Sequence, residues 1–172
     1  MEPLLYCTMK SPIGELLLLG NGEALTGLYM EAQGFKERAE TERRRDPGAF
    51  AAVREQLAAY FAGELKIFSL RLDATGTPFQ KRVWQGLRDI PYGRTESYGE
   101  LAKRIGAEGS ARAVGLANGR NPLGIIVPCH RVIGANGALT GYAGGIECKR
   151  WLLAHETRAA GFELTAKESV HA

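Results

Sequence analysis

The chain has 172 residues, 45% hydrophobic and 24% charged, with a net charge of +3. That is room for one large or two small globular domains, and it argues against a disordered or fibrous chain. Three cysteines, an odd number with no C-x-x-C pair, speak against a disulfide framework and for a reducing compartment: cytoplasmic, or nuclear in a eukaryote. The opening "MEPLLYCTMKSPIGE" lacks a basic segment followed by a long apolar core, and "LLLL" at 16–19 is too short to cross a bilayer, so neither leader nor membrane span is expected.

The first elements read as a β-meander. "LLYCTMK", "ELLLLG" and "ALTGLYM" are separated by the turn-formers "SPIG" and "GNGE". The charged stretch "FKERAETERRRDPGA" reads as an exposed loop or helix. Asp46-Pro47 then opens a helix, Asp as N-cap and Pro in the first turn, with Phe50, Val53, Leu57 and Phe61 on its apolar face. "KIFSLRLD" alternates Phe68, Leu70 and Leu72 and reads as a strand. Residues 1–75 thus form a small α+β domain.

"DATGTPFQKRVW" marks a boundary. Thr77-Pro78 repeats the cap logic, and Phe79, Val83, Trp84 and Leu87 form the buried face of the next helix. "SYGELAKRIG" is a compact helix with Tyr98, Leu101, Ala102 and Ile105 on one stripe and Gly106 as its stop. After the "AEG" turn, Ser110 caps "SARAVGLANGR". Two short helices joined by a Gly-containing turn form a helix-turn-helix signature. The second helix is thin on nearly every side: Ala111, Ala113, Gly115, Ala117 and Gly119 are all small, and Arg112 is the long side chain of its first turns. Tight core packing and close approach to a nucleic-acid groove both fit that pattern. Charge is uneven in the same direction, net −2 over residues 1–75 and +5 over 76–172, which suits a polyanion contact in the second half.

The run "GRNPLGIIVPCHRVIGANGALTGYAGG" holds the most reactive residues. Asn121-Pro122 is a turn whose Asn side chain can hold the following loop, "IIV" at 125–127 reads as a buried strand, and Asn136-Gly137 as a hairpin turn. Cys129 and His130 stand side by side after that run. A core cysteine with an incidental neighbour and a nucleophile–base pair are both open on the pair alone. "IECKRWLLAHE" is a final amphipathic helix with Ile146, Trp151, Leu152 and Leu153 inward. It carries Glu156, either a surface carboxylate or the group that orients His130 in a nucleophile–base–acid set. The tail 161–172 is expected to be poorly ordered and is assigned no role.

"PCHRV", preceded by "RAVG" and "NP" and followed by "GYAGG" and "KRWLLAHE", closely resembles the O6-alkylguanine-DNA alkyltransferase family, the methylated-DNA–protein-cysteine methyltransferases. The match covers nearly all of residues 77–156. It implies an α+β chain of two small domains: a ribonuclease H-like N-terminal domain (1–75), and a C-terminal domain with a winged helix-turn-helix (76–160) that binds the minor groove of double-stranded DNA carrying alkylated guanine. It also implies direct-reversal repair: one irreversible transfer of a methyl or alkyl group from guanine O6, or from thymine O4, to the protein's own cysteine.

The resemblance further implies residue roles. Cys129 is then the acceptor, His130 the base that activates it through a water, Glu156 the group orienting His130, and Asn121 the support of the turn. Tyr98 donates to the guanine ring, and Arg112 replaces the extruded nucleotide in the stack. Ser110, Ala111, Ala113 and Gly115 share its DNA-facing helix. The carbonyls of Val132 and Cys129 accept from the guanine amine. Tyr142 and Ala143 cover the base, with the Ala143 N–H at O6, and Lys149 lies near Tyr98. Some members hold zinc in the N-terminal domain, but companions to Cys7 are missing here, so no metal and no cofactor is expected. Where some members have a proline in the alkyl pocket, this chain has Gly124, which leaves pocket size open. Single use requires no partner subunit, so a monomer is expected. Two other readings are a Cys-His hydrolase and a non-catalytic helix-turn-helix damage sensor.

Overall fold

Three strands open the molecule, whose computed structural model describes residues 4–35 and 43–171, with 162–171 as backbone alone. Strands β1 (Leu5–Ser11), β2 (Gly14–Gly20) and β3 (Leu25–Met30) run antiparallel, and β4 (Arg44–Arg45) adds to β1 in parallel, giving the order β3-β2-β1-β4. Every residue of β2 from Leu16 to Gly20 is buried, so both faces of the central strand are covered. Most of the "FKERAETERRRDPGA" stretch lies outside the described residues.

The capping logic at Asp46 holds, but it first builds a 3-10 turn (Pro47–Phe50), whose Ala49 N–H donates to the Asp46 carboxylate. Helix α1 (Ala51–Phe61) follows and buries Val53, Leu57 and Tyr60 against the sheet, with Phe61 only partly covered. Residues 66–73 are not a strand. They touch the sheet at one point, where Leu25 N–H donates to the Arg71 carbonyl and Asp73 N–H to that of Leu25, both at 2.9 Å. The alternation of apolar residues there serves packing on α1, with Phe68 against the Tyr60 ring.

Helix α2 (Pro78–Arg88) begins in a reciprocal capping box of Thr77 and Gln80 and buries Val83, Trp84 and Leu87. The helix-turn-helix is formed by α3 (Tyr98–Arg104) and α4 (Ala111–Gly119), with Gly106 at φ 80° and Gly109 at φ 86° allowing the turn. A second capping box, Ser97 with Glu100, starts α3. Ser110 sits at the N-cap of α4 but makes no side-chain cap bond. The Trp84 indole donates to the Ala117 carbonyl at 2.8 Å and ties α4 to α2. Arg104 grips Glu96 through two nitrogens and also reaches the Gly86 carbonyl.

Short β5 (Glu96–Ser97) pairs in parallel with β6 (Val132–Ile133), which brings the start of α3 beside the segment after Cys129. The Asn136-Gly137 turn closes through a Gly134 N–H to Ala138 bond of 2.9 Å, yet no hairpin ladder extends from it; Val132 and Ile133 pair with β5 instead. Helix α5 (Ile146–His171) continues through the segment set apart as a tail. Its first turns cross back onto α1, where a His155 ring nitrogen bonds the Tyr60 carbonyl at 2.7 Å.

The two halves are joined directly. The Leu28 N–H of β3 donates to the Pro122 carbonyl at 2.8 Å, and Leu28 pairs with Leu123. The N-terminal sheet is therefore fastened to the loop that leads to Cys129.

Candidate active site

Residues 125–127, read from their branched side chains as a strand, form a buried turn instead. Ile125 has φ 72°, a left-handed conformation that a β-branched residue adopts only under constraint, at about 1–3 kcal/mol. The constraint is a set of local hydrogen bonds. Val127 N–H donates to the Leu123 carbonyl (2.9 Å), Ile126 N–H to that of Gly124 (2.8 Å), and Cys129 N–H to that of Val127 (2.8 Å). Asn121 clamps the turn from both ends: its amide donates to the Val127 carbonyl at 2.8 Å, and its oxygen accepts from Leu123 N–H at 3.0 Å.

The turn delivers Cys129 to the start of a short 3-10 helix (Cys129–Arg131). Cys129 is buried, with Sγ 3.9 Å from the Tyr142 hydroxyl. Its carbonyl accepts from the Asn118 amide at 3.3 Å. Burial pushes the thiol up, while hydrogen bonds from Asn121 and Tyr142 and the charge of Lys149 act the other way. The resting group is a thiol that becomes a thiolate only when a base takes its proton.

His130 is wholly buried, and Nε2 lies 2.7 Å from Glu156 Oε2. The carboxylate fixes the tautomer: Nε2 carries the proton, and Nδ1, which has no partner among the described residues, keeps its lone pair. Burial holds the imidazole below its ordinary value despite the opposing pull of Glu156. At neutral pH His130 is therefore an uncharged base. The surface reading of Glu156 is overturned. It is 1% exposed and accepts from Tyr60 (2.6 Å), His130 and two Arg131 nitrogens (2.8 and 3.1 Å). These donors hold its carboxyl well below the usual range, against the opposing effect of burial.

This geometry gives a pH prediction. The folded state resists protonating His130, whose ordinary value is 6.5, so below that pH the unfolded chain binds a proton that the native one does not. Stability is then complete above about pH 7 and falls as pH drops toward 5, by up to about 1.4 kcal/mol per unit for this group. Glu156 adds a second loss below its ordinary value of 4.5. Urea midpoints at pH 7, 6 and 5 measure it, and a flat profile would mean that His130 titrates as in open solvent.

Around the thiol, a narrow cleft of about 20 Å³ is lined by Asn118, Asn121, Gly124, Cys129, Tyr142 and Ala143, among others. Lys149 is buried and donates to the carbonyls of Val132 (2.7 Å) and Thr140 (3.4 Å). Tyr98 OH bonds the Thr140 hydroxyl at 2.8 Å, so Tyr98 and Lys149 meet on one residue without bonding each other. The Val132 carbonyl accepts from Lys149, and the Cys129 carbonyl accepts from both the Asn118 amide and the Val132 N–H.

On α4, Arg112 and Ala113 are exposed, Ala111 is half-exposed, and Arg112 makes no hydrogen bond or ion pair among the described residues. Gly115 is turned toward the Tyr98 ring; a Cβ there would stand 3.6 Å from two ring carbons. Leu116, 66% exposed, shares the outer face with Arg112, as do Gly119 and Arg120. Among the described residues no three His, Cys, Asp or Glu cluster as metal ligands, and no helix is long and apolar enough to cross a membrane.

Tyr60, Arg131, Asn118 and Thr140 are the site's unforeseen members. Tyr60 lies three residues after Leu57, a helical spacing that signals burial, but nothing local marks its bond to Glu156.

Two family models match the chain: the ribonuclease-like domain of 6-O-methylguanine DNA methyltransferase over residues 4–74, and the DNA-binding domain of the same family over 78–158. A methylated-DNA–protein-cysteine methyltransferase of Mycobacterium tuberculosis is 59% identical over 160 residues, covering 93% of this chain and 96% of the relative. The constitutive methylated-DNA–protein-cysteine methyltransferase of Bacillus subtilis is 46% identical over 152 residues, covering 86% and 92%. A crystal structure of Mycobacterium tuberculosis OGT in complex with DNA superposes with a TM-score of 0.85 at 58% identity, over 90% of this chain and 94% of that one.

Proposed function

We infer, for a chain that belongs to the 6-O-methylguanine DNA methyltransferase family, that it repairs DNA by direct reversal, moving a methyl or larger alkyl group from guanine O6 to Cys129. The observation that carries this is the buried thiol followed directly in the chain by an imidazole whose Nε2 is held by Glu156 and whose Nδ1 has no partner among the described residues.

The steps follow from the residues. His130 Nδ1 takes the thiol proton, through one water, and the imidazolium formed is balanced by Glu156. The sulfur attacks the alkyl carbon, the carbon–O6 bond breaks, and its electron pair goes to the purine. Hydrogen bonds from Tyr98 and the Ala143 N–H stabilise that leaving base. The Val132 and Cys129 carbonyls are acceptors for the guanine amine, the latter shared with its Asn118 and Val132 N–H donors. Nothing in the site breaks the thioether that results, so each molecule acts once. The same reading makes the protein a monomer that works where the chromosome lies, in the cytoplasm or a nucleus.

A stacked base cannot reach Cys129, so the nucleotide must be flipped out through the minor groove, at a cost of a few kcal/mol. Exposed and unpaired, Arg112 is suited to fill the gap left in the stack. Arg112→Ala should slow transfer from a methylated duplex by about tenfold or more, and transfer from free O6-benzylguanine base far less, because only the duplex requires flipping. Duplex affinity should also fall with rising salt. Single-turnover assays with labelled substrates decide this, and equal losses on duplex and free base would make Arg112 structural. A non-catalytic sensor, the other reading, would leave the label on the DNA.

A further inference from the structure

Gly124 and Gly144 both line the Cys129 cleft, and neither carries a Cβ. Behind both stands one side chain from the other domain. A Cβ on Gly124 would lie 3.3 Å from Met30 Cε, and one on Gly144 would collide with Met30 Sδ. Met30 is 1% exposed and ends β3, two residues after the Leu28 that is bonded to the Pro122 carbonyl. Residues two apart on a strand share a face. The strand fastened to the acceptor loop thus also carries Met30 against both glycines. The Tyr142 hydroxyl, 3.9 Å from Cys129 Sγ, would also stand 3.9 Å from a Cβ on Gly124, so the thiol and Gly124 border the same hydroxyl.

We propose that Met30 determines how large an alkyl group Cys129 accepts. This rests on Cys129 being the acceptor. A methyl group needs little room beyond the sulfur, whereas a benzyl group must displace whatever lies behind glycine backbone. Methionine has three rotatable bonds and no branch, so it can yield where a branched side chain cannot. Met30 is thus a positioning residue that acts through the two glycines without touching the reacting atoms.

The test is competition. Duplexes carrying O6-methylguanine and O6-benzylguanine, differently labelled, are mixed with limiting protein, and the ratio of labels transferred is read. General damage to folding or rate cancels from that ratio. Met30→Ala should raise the benzyl-to-methyl ratio about tenfold, and Met30→Ile, stiffer at its branch, should lower it by a similar factor, the scale on which apolar pockets discriminate small groups. Melting curves show which variants fold, and either variant alone suffices. An unchanged ratio in a folded variant, or a shift in the opposite direction, overturns the inference. No methyl transfer by the unaltered chain is a separate outcome and refutes the acceptor assignment instead.

Discussion

Cys129→Ser abolishes methyl transfer and leaves affinity for a methylated duplex within about threefold, since serine keeps the shape but its hydroxyl is far harder to ionise at neutral pH. The site sharpens this expectation. Burial already pushes the Cys129 thiol up, and His130 is a neutral base of modest strength. An alcohol, far weaker as an acid than a thiol, makes a still greater demand on the same base. The neighbouring structure does not depend on sulfur: the turn is held by Asn121 and by backbone bonds, and the Sγ contact to Tyr142 is long, at 3.9 Å. Rapid-quench assays with labelled duplex, paired with binding titrations, check both halves. Persisting transfer in the serine variant would remove Cys129 from its role.

Glu156→Ala should be the most damaging change to stability. It strips the acceptor from Tyr60, His130 and Arg131 together, and all three groups are buried. Removing one partner of a buried ion pair costs about 3–5 kcal/mol, because the remaining charge has no compensation. For a chain of this size that corresponds to roughly 6–20 °C in melting temperature. Glu156→Gln fills the same volume and isolates the chemical role. Its amide cannot balance an imidazolium, and its NH2 group can bond the wrong face of the ring, so transfer should slow by roughly a hundredfold or more in protein that still folds. If the Gln variant transferred at the normal rate, Glu156 would be a structural clamp for Arg131 and not an orienting group for His130.

Local chemistry made several elements legible. Asp46-Pro47 and Thr77-Pro78 announce helix starts because a side-chain acceptor and a residue lacking N–H each satisfy a backbone requirement within four positions. Gly106 stops α3 by the same local logic. The departures have physical causes too. Ile125 belongs by propensity to a strand, but hydrogen bonds closing through Asn121 hold it in the left-handed region against a cost of about 1–3 kcal/mol. Residues 66–73 alternate like a strand, yet meet the sheet through one residue, Leu25.

The site divides the same way. Cys129, His130 and Asn121 are close in sequence, and their proximity could be read. Tyr60 is 96 positions from Glu156, and Met30 belongs to a different domain from the glycines it backs. No periodicity carries such contacts. They arise only when β3 pairs with Leu123 and α5 folds back onto α1.

A chain that is its own acceptor is used once, and intact mass after incubation with excess O6-methylguanine duplex, followed by peptide mapping, tests this most directly. The expected result is a gain of one methyl group per chain, located on the peptide containing Cys129, with one duplex repaired per molecule and no more. Repair of many duplexes per chain, or a protein mass that does not change while the DNA loses its methyl group, would contradict it.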